Sequence, residues 1–130
     1  MDNSGKTALG LDANIGAGIC YVGNLVCALG LIYSIIVVAT DKTNKLARFH
    51  AFQSILLSVS CVVIGIAIQL VGGILAAVAN SGVLVMLIGL VAIVFYLAVL
   101  IAVIFSAVKA FQGQIFKLPV IGDMADKWSN

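Results

Sequence analysis

His50 is the only histidine in this sequence. It stands in the run Arg48-Phe49-His50-Ala51-Phe52-Gln53-Ser54, which gathers a guanidinium, an imidazole, an amide and a hydroxyl in two helical turns. Imidazole is the side chain best suited to holding a metal or a tetrapyrrole at neutral pH, so His50 is the one residue equipped for that chemistry. On a helix Ser54 would lie one turn beyond His50, and Gln53 one turn beyond Phe49, making a compact polar and aromatic knot. The simpler reading of the same residue is an imidazole at a membrane interface, hydrogen-bonded to headgroups or loop carbonyls. On that reading no cofactor is expected, and a tetrapyrrole on His50 is the alternative.

Other reactive constellations are missing. Cys20, Cys27 and Cys61 have neither CxxC nor zinc-type spacing and read as small packing residues. There is no P-loop, no HExxH, and no carboxylate placed to complete a Ser/His/Asp arrangement. Residues 51–108 contain no acid or base, whereas an ion-coupled transporter ordinarily places an ionisable group at mid-depth. No catalytic residue and no metal site is assigned, and the expectation is a protein that is not an enzyme.

The elements that must position His50 are membrane helices. Hydrophobic residues make up 63% of the chain and charged residues 9%, with a mean hydropathy of +1.24; a soluble domain carries about a quarter charged residues. The expected class is an all-α polytopic membrane protein forming a single domain over residues 1–130. Its start lacks the basic stretch and cleavage site of a secretory signal, so the first apolar segment is expected to remain. That segment, Ala13 to Thr40, is free of charge and is predicted to be one tilted helix over about 13–40. The alternative is a break at Gly23-Asn24, giving a re-entrant segment and four short membrane segments.

Thr43 or Asn44 offers an N-cap for a second helix over about 45–79. Asn80-Ser81-Gly82 is the only group of turn formers near the middle of the next apolar run, and it predicts a third helix over about 82–111. Small residues form seams along these helices: Gly16, Cys20, Gly23, Cys27, Gly30 and Ser34 on the first, and Ser54, Ser58, Cys61, Gly65, Gln69 and Gly72 on the second. In lipid, helices associate by close backbone approach, which such residues permit. Asn24 and Gln69 are expected to hydrogen-bond between helices. In the tail, 112–130, Pro119 stops any continuing helix. Ile121, Met124, Ala125 and Trp128 then share one face of a short interfacial helix, with Asp123, Asp126 and Lys127 opposite.

Lys42, Lys45 and Arg48 lie in the first loop and its junction with the second helix, and Lys109, Lys117 and Lys127 follow the apolar part of the third. Cations favour the cytoplasmic face, so the first loop and the C-terminus are placed inside, and a single first span would put the N-terminus outside. Two separated clusters cannot track a nucleic acid, so none is expected as a partner.

The run Arg48, Phe49, His50, Phe52, Gln53, with the close Lys109-Ala110-Phe111-Gln112-Gly113 and Lys117-Leu118-Pro119-Val120-Ile121-Gly122-Asp123, resembles the RFHAxQS and KAxQGxxxKLPxIGD motifs of small bacterial membrane proteins. Those proteins are similar to the Tic-type import component of the chloroplast inner envelope. The resemblance implies a bacterial inner-membrane protein and a role as a structural or channel-forming translocation subunit. The residues themselves favour an accessory or assembly subunit, with the lipid bilayer and other membrane subunits or a second copy as partners. A pigment- or haem-associated subunit is a third reading. Arg48 is the favoured contact residue, because its planar fork can bind tail carbonyls, Asp123 or a lipid phosphate bidentately.

Overall fold

The structure, a computed structural model, describes residues 5–25 and 29–130. Among these are five α-helices and no strand: α1 Ala13–Val22, α2 Leu29–Thr40, α3 Lys45–Ala79, α4 Gly82–Phe111 and α5 Ile121–Ser129. The protein is therefore all-α, with α3 and α4 long and apolar enough to cross a membrane. The chain divides into two compact units, residues 1–58 with 102–130, and residues 59–101.

The expectation of one helix over 13–40 is corrected. A short 3-10 turn, Gly23–Leu25, follows α1, and α1 and α2 have 10 and 12 residues. At 1.5 Å per residue these reach only about 15 and 18 Å, against a hydrocarbon core of about 30 Å. The cause is local. A Cβ on Gly23 would lie 2.6 Å from the Gly30 backbone nitrogen, and one on Gly30 would strike the Asn24 backbone and, at 2.5 Å, the Cys20 carbonyl. Gly23 and Gly30 therefore do not line one stripe of one helix; they let α1 and α2 pack on each other. Cys27 lies outside the described residues.

The start of the chain is tied to the first loop and to the end of α4. The Ala8 amide donates to Asp41 Oδ2 at 3.1 Å, and Asn14 packs against Gly113. The chain start thus lies beside both the first loop and the end of α4. Outward along α2, Leu29, Ile32, Ile35 and Ile36 are exposed, as suits a surface against lipid tails.

Each helix end has an identifiable local cause. Asp41 Oδ1 accepts from the Thr43 and Asn44 amides at 3.2 and 3.0 Å. Asn44 Oδ1 then caps α3 through the Ala47 amide at 3.2 Å. Asn80 leaves α3 in the left-handed region, φ +46°, a conformation asparagine tolerates better than most residues. Gly113 does the same after α4 with φ +71°.

In the 59–101 unit, α3 and α4 run beside each other. The Tyr96 hydroxyl packs over Gly65, 2.7 Å from where a Cβ would stand, and Ile88 covers Gly72. Cys61 is half-buried. Most other side chains here are exposed, including Val62, Val63, Leu70, Ile74, Met86 and Val91. Gln69 is exposed as well, and it does not make the interhelical bond expected of it within the described residues.

Candidate functional site

The first turns of α3 present two faces. Leu46, Phe49, His50, Gln53 and Ser54 are fully buried, whereas Lys45, Arg48 and Phe52 are half-buried. The first face meets α1 and the extended stretch that follows α4; the second meets α5.

On the inner face, the polar atoms join in one chain of hydrogen bonds whose directions follow from the carbonyls, which can only accept. His50 Nε2 lies 2.9 Å from the Gln114 carbonyl and so carries the proton. Its Nδ1 is left to accept from the Tyr21 hydroxyl at 3.0 Å. That hydroxyl accepts in turn from Gln53 Nε2 at 2.9 Å. Gln53 Nε2 also donates to the Phe116 carbonyl at 3.1 Å, and Gln53 Oε1 accepts from the Leu118 amide at 3.1 Å. Residues 114, 116 and 118 alternate along an extended backbone, and α3 side chains satisfy a peptide group of each.

This geometry decides what His50 can do. Both ring nitrogens are engaged and the ring is fully buried, held edge-on against Tyr21 and Phe49 with centroids 5.5 and 5.0 Å away. A tetrapyrrole iron would need one of those nitrogens, so the arrangement does not fit axial ligation. Among the described residues, no three of His, Cys, Asp and Glu group as a metal site.

A second tie joins α1 to α3. Asn24 Nδ2 donates to the Ser54 and Ser58 hydroxyls, each at 2.9 Å. Ser54 donates to the Cys20 carbonyl at 2.7 Å, and Ser58 to the Ser54 carbonyl at 2.9 Å. Cys20 itself is buried and donates weakly to the Gly16 carbonyl at 3.4 Å. Gly16 receives the Thr7 methyl and the Tyr33 hydroxyl.

On the outer face Arg48 binds three backbone carbonyls. Nε donates to Ser129 at 3.2 Å, and Nη1 to Asp41 at 2.8 Å and Val38 at 3.4 Å. It thereby satisfies carbonyls at the C-terminal ends of α2 and α5, where a cation also complements the helix dipole. Its guanidinium lies 5.6 Å from the Phe52 ring centre, and Phe52 meets Trp128 edge-on at 6.1 Å. Lys45 pairs with Asp126 at 3.3 Å, and Lys117 pairs with Asp126 at 2.8 Å and Asp123 at 3.6 Å. The hydrogen bond from Lys117 holds the Asp126 carboxyl below its ordinary value, and the same bond raises Lys117.

The remaining motif residues are placed as follows. Lys109 Nζ donates to Gln114 Oε1 at 3.0 Å. Gln112 is exposed. The Pro119 carbonyl accepts from the Ile121 amide at 2.7 Å, closing a tight turn on Val120 at φ +65°. Gly122 lets α5 approach Lys117, whose Cα would be 2.6 Å from a Cβ there. Within α5, Gly122, Ala125 and Ser129 are buried, while Met124 and Trp128 remain 40% and 47% exposed. Small side chains allow the close approach that the larger ones would prevent.

Two residues that the sequence did not single out are central. Tyr21 is fully buried, and a buried phenol requires a partner; its hydroxyl inside an apolar segment was the available signal. Asp41, 2% exposed, accepts from three amides, of residues 8, 43 and 44.

Comparison with known proteins corrects the resemblance to a Tic-type import component. A UPF0132 membrane protein of Methanocaldococcus jannaschii is 36% identical over 127 residues, 96% of each chain. Another from the same organism is 30% identical over 124 residues, 93% of this chain and 73% of its own. A UPF0132 membrane protein of Archaeoglobus fulgidus is 32% identical over 105 residues, 81% of this chain and 89% of its own. No solved structure matches. None of these findings points to plastid import, and the two motifs that suggested it are the residues that tie the tail to α3. The profile of the magnetosome magnetite crystal formation protein family matches residues 12–125, so the chain is a membrane protein that belongs to that family.

Proposed function

We propose that this chain is a non-enzymatic accessory subunit of a larger membrane assembly, acting through a charged face on one side of the bilayer. One observation carries the reading. All seven Lys and Arg residues and all five Asp and Glu residues fall within residues 1–58 and 102–130. Among the described residues, both His50 nitrogens, the Arg48 fork and the carboxylates of Asp41, Asp123 and Asp126 are engaged within the chain, while Asp12 is exposed. Lys6, Lys42 and Lys127 remain exposed. Such a face suits recognition of an acidic surface better than turnover of a substrate.

The distribution of cations supports a cytoplasmic membrane with the termini and the first loop inside and the Asn80–Gly82 turn outside.

The test is recovery of the full chain from native membranes in a mild detergent, beside a Lys42→Glu/Lys127→Glu variant. The expected result is a second membrane protein in stoichiometric amount with the native chain and its loss from the variant. Recovery of the native chain alone, or unchanged recovery with the variant, overturns the reading.

A further inference from the structure

α1 and α2 run antiparallel, because the contacts that join them are nested. The Ala8 amide meets Asp41 at one end, the Tyr33 hydroxyl lies against Gly16 along the way, and Gly23 meets Gly30 at the other. At that far end Asn24 Nδ2 bonds the Ser54 and Ser58 hydroxyls of α3. From Ser58, α3 runs on to Ala79, about 32 Å further. The paired helices reach only about 15 and 18 Å, and one leaflet of hydrocarbon is about 15 Å deep. Their outward face is built for lipid tails. α2 buries Gly30, Ser34 and Val37 and leaves Leu29, Ile32, Ile35 and Ile36 exposed. A helix docking from outside would need small residues there to let backbones approach, and this face offers only large aliphatic side chains.

We propose that α1 and α2 form a wedge in one leaflet, by which the chain collects in membranes curved with that leaflet outermost. The two helices, each about 10 Å across, take area in the leaflet they enter and none in the other. Bending that makes the entered leaflet convex supplies that area, and bending the opposite way compresses it, so the chain is more stable in the first geometry than in a flat bilayer. The tail marks the same leaflet, since Asn14 packs against Gly113. The inference goes beyond the accessory role, because the partner is the shape of the bilayer itself.

The test uses the purified full chain in giant vesicles of phosphatidylcholine alone, so that neither an acidic headgroup nor a second protein contributes. A dye is joined enzymatically to the C-terminus from outside, marking only molecules whose tail faces out, and a narrow tube is drawn from the vesicle. Relative to a dye-bearing lipid, the marked chains should be enriched in the tube by about two-fold or more, since insertion into one leaflet is curvature-sensitive. Molecules marked from inside should be depleted. Ile32→Ser/Ile35→Ser, which weakens the hold of α2 on the lipid tails, should bring the two densities together. Val120→Ser/Trp128→Ser, which changes exposed side chains at α5, should leave the enrichment in place. Equal densities of the native chain in tube and vesicle overturn the inference. So does enrichment of both orientations, which would place the preference in the spanning helices, and so does a loss confined to the α5 variant. If Ile32→Ser/Ile35→Ser lowers the helix content, the two orientations of the native chain decide alone. No partner is present in these vesicles, so this inference and the accessory role stand or fall separately.

Discussion

Gln53 Oε1 accepts the Leu118 amide at 3.1 Å while its Nε2 donates to the Phe116 carbonyl at the same distance. One side-chain amide thus stands in for the peptide of a neighbouring strand. With His50 on the Gln114 carbonyl, it holds an extended stretch that has no ladder of its own against a membrane helix. The tail is therefore part of the fold.

Gln53→Ala should release that stretch. It removes bonds to Tyr21, Phe116 and Leu118, and an uncharged hydrogen bond contributes about 0.5–1.5 kcal/mol net, so a total loss of about 1.5–4.5 kcal/mol is expected. Hydrogen exchange at the Leu118 amide should rise in step. Unchanged protection there would mean the tail is held by its ion pairs and apolar contacts alone.

Arg48→Lys keeps the charge but not the fork. Because Arg48 binds the carbonyls of Val38, Asp41 and Ser129 at once, the end of α5 should fray and cleavage after Lys127 by trypsin should quicken several-fold, while membrane insertion stays normal. Equal cleavage of the two proteins would reduce Arg48 to a charge at the membrane edge.

The ion pairs give a pH window. Asp126 is held below its ordinary 3.8, so its contribution is fully present above that value and fades as pH falls through the lower folded value. Lys117 is raised above 10.5, so its contribution is present below that value and is lost as pH rises past the higher folded one. Proteolytic protection of residues 117–129 should be flat from about pH 4 to about pH 10 and decline outside it. These pairs are exposed, so added salt should weaken the same protection. A midpoint near neutrality would show that another group controls the tail.

The broken first segment fixes a labelling pattern. In a background without the native cysteines, Lys6→Cys and Thr43→Cys should behave alike toward an impermeant thiol reagent, and Ser81→Cys should react only from the opposite side. Lys6→Cys labelling together with Ser81→Cys would restore a single span over 13–40.

Gly23→Leu should be far worse than Gly73→Leu for the isolated chain. A Cβ at Gly23 already meets backbone at 2.6 Å, whereas Gly73 has nothing within 4 Å. Overpacking costs roughly 1–3 kcal/mol where side chains can shift, and backbone atoms yield less readily. Thermal melts in detergent should separate the two variants by at least that margin; coincident melts would show that α1 and α2 do not pack through Gly23.

The sequence by itself determined the class, the two long helices and the grouping of charge. Hydropathy is a sum over residues, and the ends of α3 and α4 are set by local chemistry at Asn44 and Asn80. Tertiary structure alone decided the path of residues 13–40, because a glycine-rich apolar stretch satisfies a straight helix and a hairpin equally until Gly23 meets Gly30. It also decided the role of His50. A lone imidazole reads as a potential ligand from its chemistry, and only the placement of Tyr21 and Gln114, 29 residues before it and 64 after it, engages both nitrogens. Partners that distant in sequence leave no local pattern, since it is the packing of α1 and the tail onto α3 that brings them within reach.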